Sequence, residues 1–457
     1  MKTTGFRSFI LYLLTGGFVA CMVFFLYEFF TQGGQWVAQP YNQHLVQNGQ
    51  LTWSGEILDA NGVVLVGSED GAQSYIDDAG IRSATVHTVG DKKGYISTGV
   101  QLVYRPQLAG YNPVLGVAGM SGGTTKGSIE LTIDSGLCET ATELLGSRKG
   151  AVIIYNYQTG EVVCKASTPT FDPENIPEDI ETNDAYKGAY LDRTLSSSFT
   201  PGSTFKVITA ACAVENLSDW DSRTYSCDGS VVINGEEITC MGHHGEQTLG
   251  EALGNSCNVY FAELAVDLGK DAMTRTAGEM GFNQPQSLDE IVVAASTYDV
   301  SEADDNALAW SGIGQYTTLV TPYHMMKIMG AIANDGAPVE PYLVRSITGV
   351  GPTSYTAKTR TGDEMMTAEA AQALQTMLRD NVEEYYASGT FPSELQVCAK
   401  TGTAEVGEGK EDTGWVAGYC ANPDTPYAFA VVVEEGGFGR TSAAPIASQL
   451  LQQLAWG

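Results

Sequence analysis

Thr200-Pro201-Gly202-Ser203-Thr204-Phe205-Lys206-Val207-Ile208-Thr209-Ala210-Ala211-Cys212-Ala213-Val214 is the stretch on which the reading of this chain turns. Pro201-Gly202 suits a helix start, because proline is tolerated where the amide has no intrahelical partner. The run from Val207 to Val214 is apolar nearly all round, as a buried central helix would be. Ser203 and Lys206 stand three residues apart, so a helix puts them on one face and lets the amine fold over the serine oxygen. A serine hydroxyl is a poor nucleophile until a base takes its proton. In the first helical turn it also feels the positive end of the helix dipole, which favours an alkoxide.

Two further short patterns lie downstream, Ser256-Cys257-Asn258 and Lys400-Thr401-Gly402. S-x-x-K, S-x-N and K-T-G each occur once in 457 residues, in that order. Any one alone is a weak signal, but the ordered set is the signature of serine enzymes acylated by penicillin. A lysine acts as base near neutral pH only if its pKa falls, and burial beside a second cation does that. Lys400 is the expected second cation. Leu395, Val397 and Ala399 alternate with Gln396, Cys398 and Lys400, which predicts a strand. Gly402 in that strand marks close approach of another backbone, here expected to be a bound peptide along a sheet edge. The Thr401 and Thr403 hydroxyls would then face a substrate carboxylate. The amides of Ser203 and Thr403 form the expected oxyanion hole. Ser256 is placed to relay a proton toward the leaving amine, and the Asn258 amide to hold the peptide.

At these residues the chain resembles the penicillin-binding proteins, and more narrowly the monofunctional class B transpeptidases of the cell wall. The resemblance extends to Val152-Ile153-Ile154-Tyr155-Asn156, Thr159-Gly160-Glu161 and Ser167-Thr168-Pro169-Thr170-Phe171-Asp172-Pro173, which look like the family's first hairpin and the loop after it. Arg193, Tyr260-Phe261, Gly312-Ile313-Gly314-Gln315 and Thr321-Pro322 also fit. So do Gly414-Trp415-Val416-Ala417-Gly418-Tyr419 and Ala443-Ala444-Pro445-Ile446-Ala447. Upstream, Gly55 to Gly62 resembles the family's R-G-x-I-x-D-R-N-G segment, with Ser54 and Ala60 in place of both arginines. Neither residue can form the ion pair that an arginine would form there.

The resemblance implies a D,D-transpeptidase that cross-links peptidoglycan stem peptides and is acylated by β-lactams. Ser203, Lys206, Ser256, Asn258 and Lys400 would be catalytic, and Thr401, Gly402 and Thr403 would bind substrate. It implies no metal and no organic cofactor. It also implies a polytopic glycosyltransferase partner, contacted through the anchor and residues 31–125.

Phe9 to Tyr27 is a nearly unbroken apolar run of about the length that spans a bilayer as a helix. Lys2 and Arg7 precede it and Glu28 follows, which predicts a cytoplasmic N-terminus and an extracytoplasmic remainder. Phe18-Val19-Ala20-Cys21 faintly resembles a lipoprotein cleavage box, but it sits inside the run, and an uncleaved anchor is expected. The chain carries 24 basic and 54 acidic residues, a formal charge of −30. That excludes a basic footprint for nucleic acid, and the scarcity of cations makes the two motif lysines less incidental.

The expected order is a cytoplasmic tip and anchor over 1–30, a linker and small mixed pedestal domain over 31–125, and the transpeptidase domain over 126–457. Ala118 to Ser128, rich in Gly and Thr, marks the last boundary. Strands from both ends of the catalytic region around a helical middle predict an α+β domain, an antiparallel sheet with helices on both faces.

Nine cysteines are present. Cys138, Cys164, Cys212, Cys257 and Cys398 read as buried free thiols. Cys227 and Cys240 flank a hairpin turning at Asn234-Gly235, where a disulfide is one expectation. A metal site of Cys227, Cys240, His243 and His244 is another, though it lacks a convincing pair of ligand spacings.

Among other classes, Glu279-Met280-Gly281-Phe282-Asn283 resembles the loop of a β-lactamase that positions the deacylating water, but it follows Asn258 too closely. Class D lactamases carry S-x-V, which Asn258 contradicts. A non-enzymatic sensor would need a cytoplasmic signalling domain, and only eight residues precede the apolar run. A catalytically dead scaffold could lose its motifs, and all three are intact. The motifs leave the acceptor open between an amine and water, that is, between a transpeptidase and a D,D-carboxypeptidase.

Overall fold

The computed structural model describes residues 2–37, 46–47, 50–51, 54–69, 72–111, 127–349, 354–405, 407, 409 and 411–457. Its centre is a five-stranded antiparallel sheet in the spatial order Val397–Ala404, Thr413–Cys420, Tyr427–Val433, Gly150–Asn156, Val162–Thr168. The last strand in sequence, Tyr427–Val433, pairs with the first, Gly150–Asn156, so that Val431 lies opposite Val152. Both faces are covered, so Thr413–Cys420 is buried at every position. Pro322–Ala333 and Ala368–Asp380 pack against the sheet and each other, and Ser135–Leu145 and Ala444–Trp456 form a second such pair. This is the expected α+β architecture.

The two-sided cover explains one departure. Val397–Ala404 was expected to alternate, yet seven of its eight positions are buried. Helices on both faces erase the period-2 contrast that a half-exposed strand shows. Leu395 falls in a 3-10 turn before the strand, and Gln396 turns the chain at φ 50°.

A second, six-stranded sheet runs in the order Tyr355–Thr356, Val344–Thr348, Ser128–Leu131, Ile57–Leu58, Val64–Glu69, Ala72–Tyr75. The N-terminal strands thus complete a sheet with residues from beyond 126. Arg345 fastens it, donating to Glu130 Oε1 at 2.9 Å, Glu161 Oε1 at 3.0 Å and the Ala60 carbonyl at 3.2 Å. Two short helices, Val100–Val103 and Arg105–Leu108, follow the helix Ala79–Val89 in the chain. Much of the Ala118 to Ser128 boundary and part of the 31–125 segment lie outside the described residues.

Beneath the helix Ala79–Val89 sits a buried ion pair, Lys165 Nζ to Asp192 Oδ2 at 2.6 Å. Lys165 also donates to the His87 carbonyl at 3.2 Å, and Asp192 accepts from Thr98 Oγ1 at 3.1 Å. Burial pushes the His87 imidazole down to about 4, so it stays neutral beside the pair. The N-terminal helix is Lys2–Val37, continuing past residue 30. Its stretch Gly5–Gly34 is long and apolar enough to cross a membrane, and none of its most apolar window is buried against the rest of the protein.

Candidate active site

Ser203 lies in the 3-10 turn Gly202–Thr204, which leads through Phe205 into the helix Lys206–Asn216. The turn is clamped from three sides. Gly202 N donates to Gly314 O at 3.0 Å, Trp415 Nε1 to Thr200 O at 3.1 Å, and Thr209 Oγ1 to Gly312 O at 2.7 Å. Phe205 stacks on Tyr298 at 5.3 Å between centroids and meets the edge of Phe282 at 5.7 Å. Lys206 to Val214 are all buried, as the apolar run predicts.

The turn and the edge strand Val397–Ala404 touch backbone to backbone. A Cβ on Gly202, itself at φ 54°, would lie 2.4 Å from Thr403 O, and one on Gly402 would lie 2.7 Å from Pro201 O. The close approach marked by Gly402 is therefore the serine turn itself, not a bound peptide as expected. Any side chain there would drive the two motifs apart.

The S-x-N motif precedes the helix Asn258–Glu279, whose N-cap is Cys257. Ser256 is held at φ 53°, in the left-handed region that non-glycine residues seldom adopt. That turn points both its oxygens at Lys206, whose Nζ donates to Ser256 O at 2.6 Å, Asn258 Oδ1 at 2.8 Å and Ser256 Oγ at 3.4 Å. Lys206 Nζ also lies 5.7 Å from the centre of the Phe261 ring. Lys400 Nζ donates to Ser256 Oγ at 2.9 Å and Thr401 O at 3.1 Å. The Ser256 hydroxyl thus bridges two amines from two other motifs. Thr401 is buried and Thr403 half-buried at the same strand end.

Two expectations change in detail. Lys206 was expected over Ser203 Oγ. Instead its bonds go to Ser256 and Asn258, and the half-buried Ser203 hydroxyl makes no hydrogen bond among the described residues. The second concerns charge. Burial pushes the Lys206 ammonium down to about 8, with the Cys257 and Cys240 sulfurs opposing. Lys400 is pushed well below its ordinary value by burial, then by the charges of Lys206 and Arg440. The repulsion is mutual by Coulomb's law, so both amines are poor holders of a proton. Among the described residues no carboxylate forms an ion pair with either one. Such an arrangement can take a proton from a hydroxyl and pass it along Ser256.

Several supports carry no local sequence signal. Asn258 Nδ2 donates to Thr239 O at 3.0 Å and Asn258 N to Cys240 Sγ at 3.3 Å, so the hairpin holds the motif. On the edge strand, Arg379 Nη1 donates to Val397 O at 3.1 Å and Asn381 Nδ2 to Ala399 O at 2.6 Å. The hairpin turns as expected at Asn234-Gly235, both at positive φ. Cys227 and Cys240 are free thiols with no bond between them. Cys227 instead pairs across strands with Gly245. Glu279 is exposed and lines a cleft with Glu215 and Asn216. Those two lie at the far end of the helix that begins at Lys206, roughly 15 Å along its axis. Glu279 is therefore remote from Ser203.

Residues 150–452 match the sequence profile of the penicillin binding protein transpeptidase domain. Among curated proteins, the chain is similar to the peptidoglycan D,D-transpeptidase PbpA of Mycolicibacterium smegmatis, 29% identical over 451 residues and 90% of each chain. It is also 28% identical to stage V sporulation protein D of Bacillus subtilis over 66% of this chain and 48% of that one. Among solved structures, the ceftriaxone acyl-enzyme of penicillin-binding protein A from M. tuberculosis superposes with a TM-score of 0.78. It is 25% identical, with 88% of this chain and 98% of that chain covered. A D,D-transpeptidase domain from Eggerthella lenta gives 0.74 at 25% identity, covering 88% and 97%.

Proposed function

Because the chain belongs to the penicillin-binding protein transpeptidase family, we propose that it is a membrane-anchored serine D,D-transpeptidase, acylated by β-lactams through Ser203. The observation that carries this is the buried amine three residues after Ser203. Lys206 has no carboxylate among the described residues, stands beside a second amine, and is pushed down to about 8.

In the first half-reaction Ser203 Oγ attacks the penultimate D-Ala carbonyl of a stem peptide while neutral Lys206 takes its proton. Ser203 N and Thr403 N, on backbones in contact, stabilise the oxyanion. Collapse breaks the peptide bond, and the leaving D-Ala amine receives its proton through Ser256 Oγ, which both lysines reach. In the second half an amine of a neighbouring stem peptide attacks the ester and Ser203 leaves. The donor peptide adds to the edge strand from Thr401 onward, since the Val397 and Ala399 carbonyls are occupied. Its carboxylate meets the Thr401 and Thr403 hydroxyls, and Asn258 holds its backbone.

The N-terminal helix anchors the chain with Lys2 and Arg7 on the cytoplasmic side and the sheets outside. A polytopic glycosyltransferase is the partner, meeting the anchor and residues 31–125.

Labelling with a fluorescent penicillin tests the reading. Wild type should give one long-lived adduct on the peptide containing Ser203 and a single stoichiometric burst with nitrocefin. Ser203→Ala should give none while still folding. An adduct on Ser256, or sustained nitrocefin turnover lost in Glu279→Gln, would replace the transpeptidase with a different serine or a hydrolase.

A further inference from the structure

Three cysteines and a histidine from four different elements converge behind the S-x-N motif. Cys227 ends the strand Tyr225–Cys227, Cys240 leaves the hairpin, His244 leads into Gly245–Gln247, and Cys257 caps the helix Asn258–Glu279. Their ligand atoms all lie within 4.8 Å of one another, Cys227 and Cys257 being buried. Cys240 Sγ is 3.9 Å from Cys257 Sγ and 3.6 Å from His244 Nδ1. A tetrahedral zinc site with Zn–S bonds of about 2.3 Å has sulfur–sulfur edges of about 3.8 Å. A disulfide needs about 2.0 Å, far short of the Cys240–Cys257 separation. In sequence the four read C-x12-C-x3-H-x12-C. His243, its side chain exposed, is outside the group.

The surroundings suit thiolates. Cys240 Sγ accepts from Asn258 N at 3.3 Å, and Cys257 Sγ accepts from Tyr260 N at 3.4 Å. Both amides belong to the first turn of the helix that starts at Asn258 and is interrupted at Gly269, where partial positive charge favours an anionic sulfur. Backbone N–H donors to ligating sulfur are the outer support that metal–thiolate sites use. Three soft sulfurs and an imidazole this close together select zinc among common divalent ions.

We propose that Cys227, Cys240, His244 and Cys257 bind one zinc ion that braces the Ser256-Cys257-Asn258 segment against the hairpin. The thiols release their protons to solvent as the metal–sulfur bonds form. Four protein ligands leave no open position, so the ion is structural rather than hydrolytic. Its effect on catalysis is positional. Cys257 lies between Ser256 and Asn258, and Asn258 is tied to Cys240 and Thr239 through its backbone and side-chain amides. Removing the ion frees the residues that orient Lys206.

The test is metal content of the full-length protein, purified in detergent without chelator. One zinc per chain is expected. It should be lost in Cys227→Ser and His244→Ala and kept in His244→Cys and in Cys420→Ser, a buried cysteine outside the cluster. Replacing zinc with cobalt in wild type should give tetrahedral d–d bands and a thiolate-to-metal charge-transfer band, a signature independent of activity. Penicillin acylation should fall on zinc depletion and return with zinc. Wild type without metal and with nine titratable thiols, a Cys240–Cys257 disulfide found by mass spectrometry, or full zinc in Cys227→Ser would each overturn the proposal. Zinc stoichiometry does not depend on the transpeptidase reading, so the two can fail separately.

Discussion

Lys165 and Lys206 are both buried, and the two places that hold them differ in one respect. Lys165, under the helix Ala79–Val89, meets the Asp192 carboxylate at 2.6 Å. Lys206, in the cleft, meets only the neutral oxygens of Ser256 and Asn258, beside Lys400. At the first site the charge is matched, and the pair ties the helix Ala79–Val89 and the turn at Thr98 to the sheet through the His87 carbonyl and the Thr98 hydroxyl. At the second nothing neutralises the cation, so the amine gives up its proton easily. Burial alone does not say whether a lysine is structural or reactive; its partner does.

The largest effect should come from the unmatched site. Lys206→Arg keeps the charge but cannot supply a neutral base, so penicillin acylation should drop about 10²- to 10⁴-fold, as for Lys206→Ala. Stopped-flow acylation measures it. An arginine variant within tenfold of wild type would make Lys206 an electrostatic group and erase the contrast.

The matched site should answer in stability instead. Asp192→Ala leaves a buried uncompensated ammonium and should cost roughly 3–5 kcal/mol, while Lys165→Met with Asp192→Leu should recover most of it. Thermal unfolding of the full chain reads both. A single variant costing under about 1 kcal/mol would mean that the pair contributes little.

An exposed pair sets the lower end. Arg223 and Asp219 lie 3.2 Å apart with 52% of the Asp219 side chain exposed. Asp219→Asn should change stability by less than about 1 kcal/mol. A larger loss would show that exposure is a poor guide to these pairs.

The parts of the site that chemistry fixes by spacing were legible in the sequence: Ser203 with Lys206, Ser256 with Asn258, and Lys400 to Thr403. So was the sheet in outline, because strand patterns at both ends of the catalytic region, with the one at Val397–Lys400 among them, flank a helical middle. What was not legible depends on chain segments far apart. Neither Lys165 nor Asp192 sits in a pattern that announces the other. Gly402 announces a close neighbour but not that Pro201 is the neighbour. The hairpin suggested a partner for Cys227 in Cys240, whereas the fold adds Cys257, 17 residues further on. The second sheet joins Ile57–Leu58 to Ser128–Leu131, a pairing between segments with no shared turn to signal it.

The pH dependence of acylation tests the central claim most directly. A base works only when neutral, and the Lys206 amine is pushed down to about 8. Below that value the neutral fraction falls roughly tenfold per pH unit. The second-order rate of acylation by a fluorescent penicillin should therefore climb with pH, bend near about 8 and level off above it. In Lys206→Arg the bend should vanish along with most of the rate. A flat wild-type profile through that range, or a bend that survives in Lys206→Arg, would contradict the account.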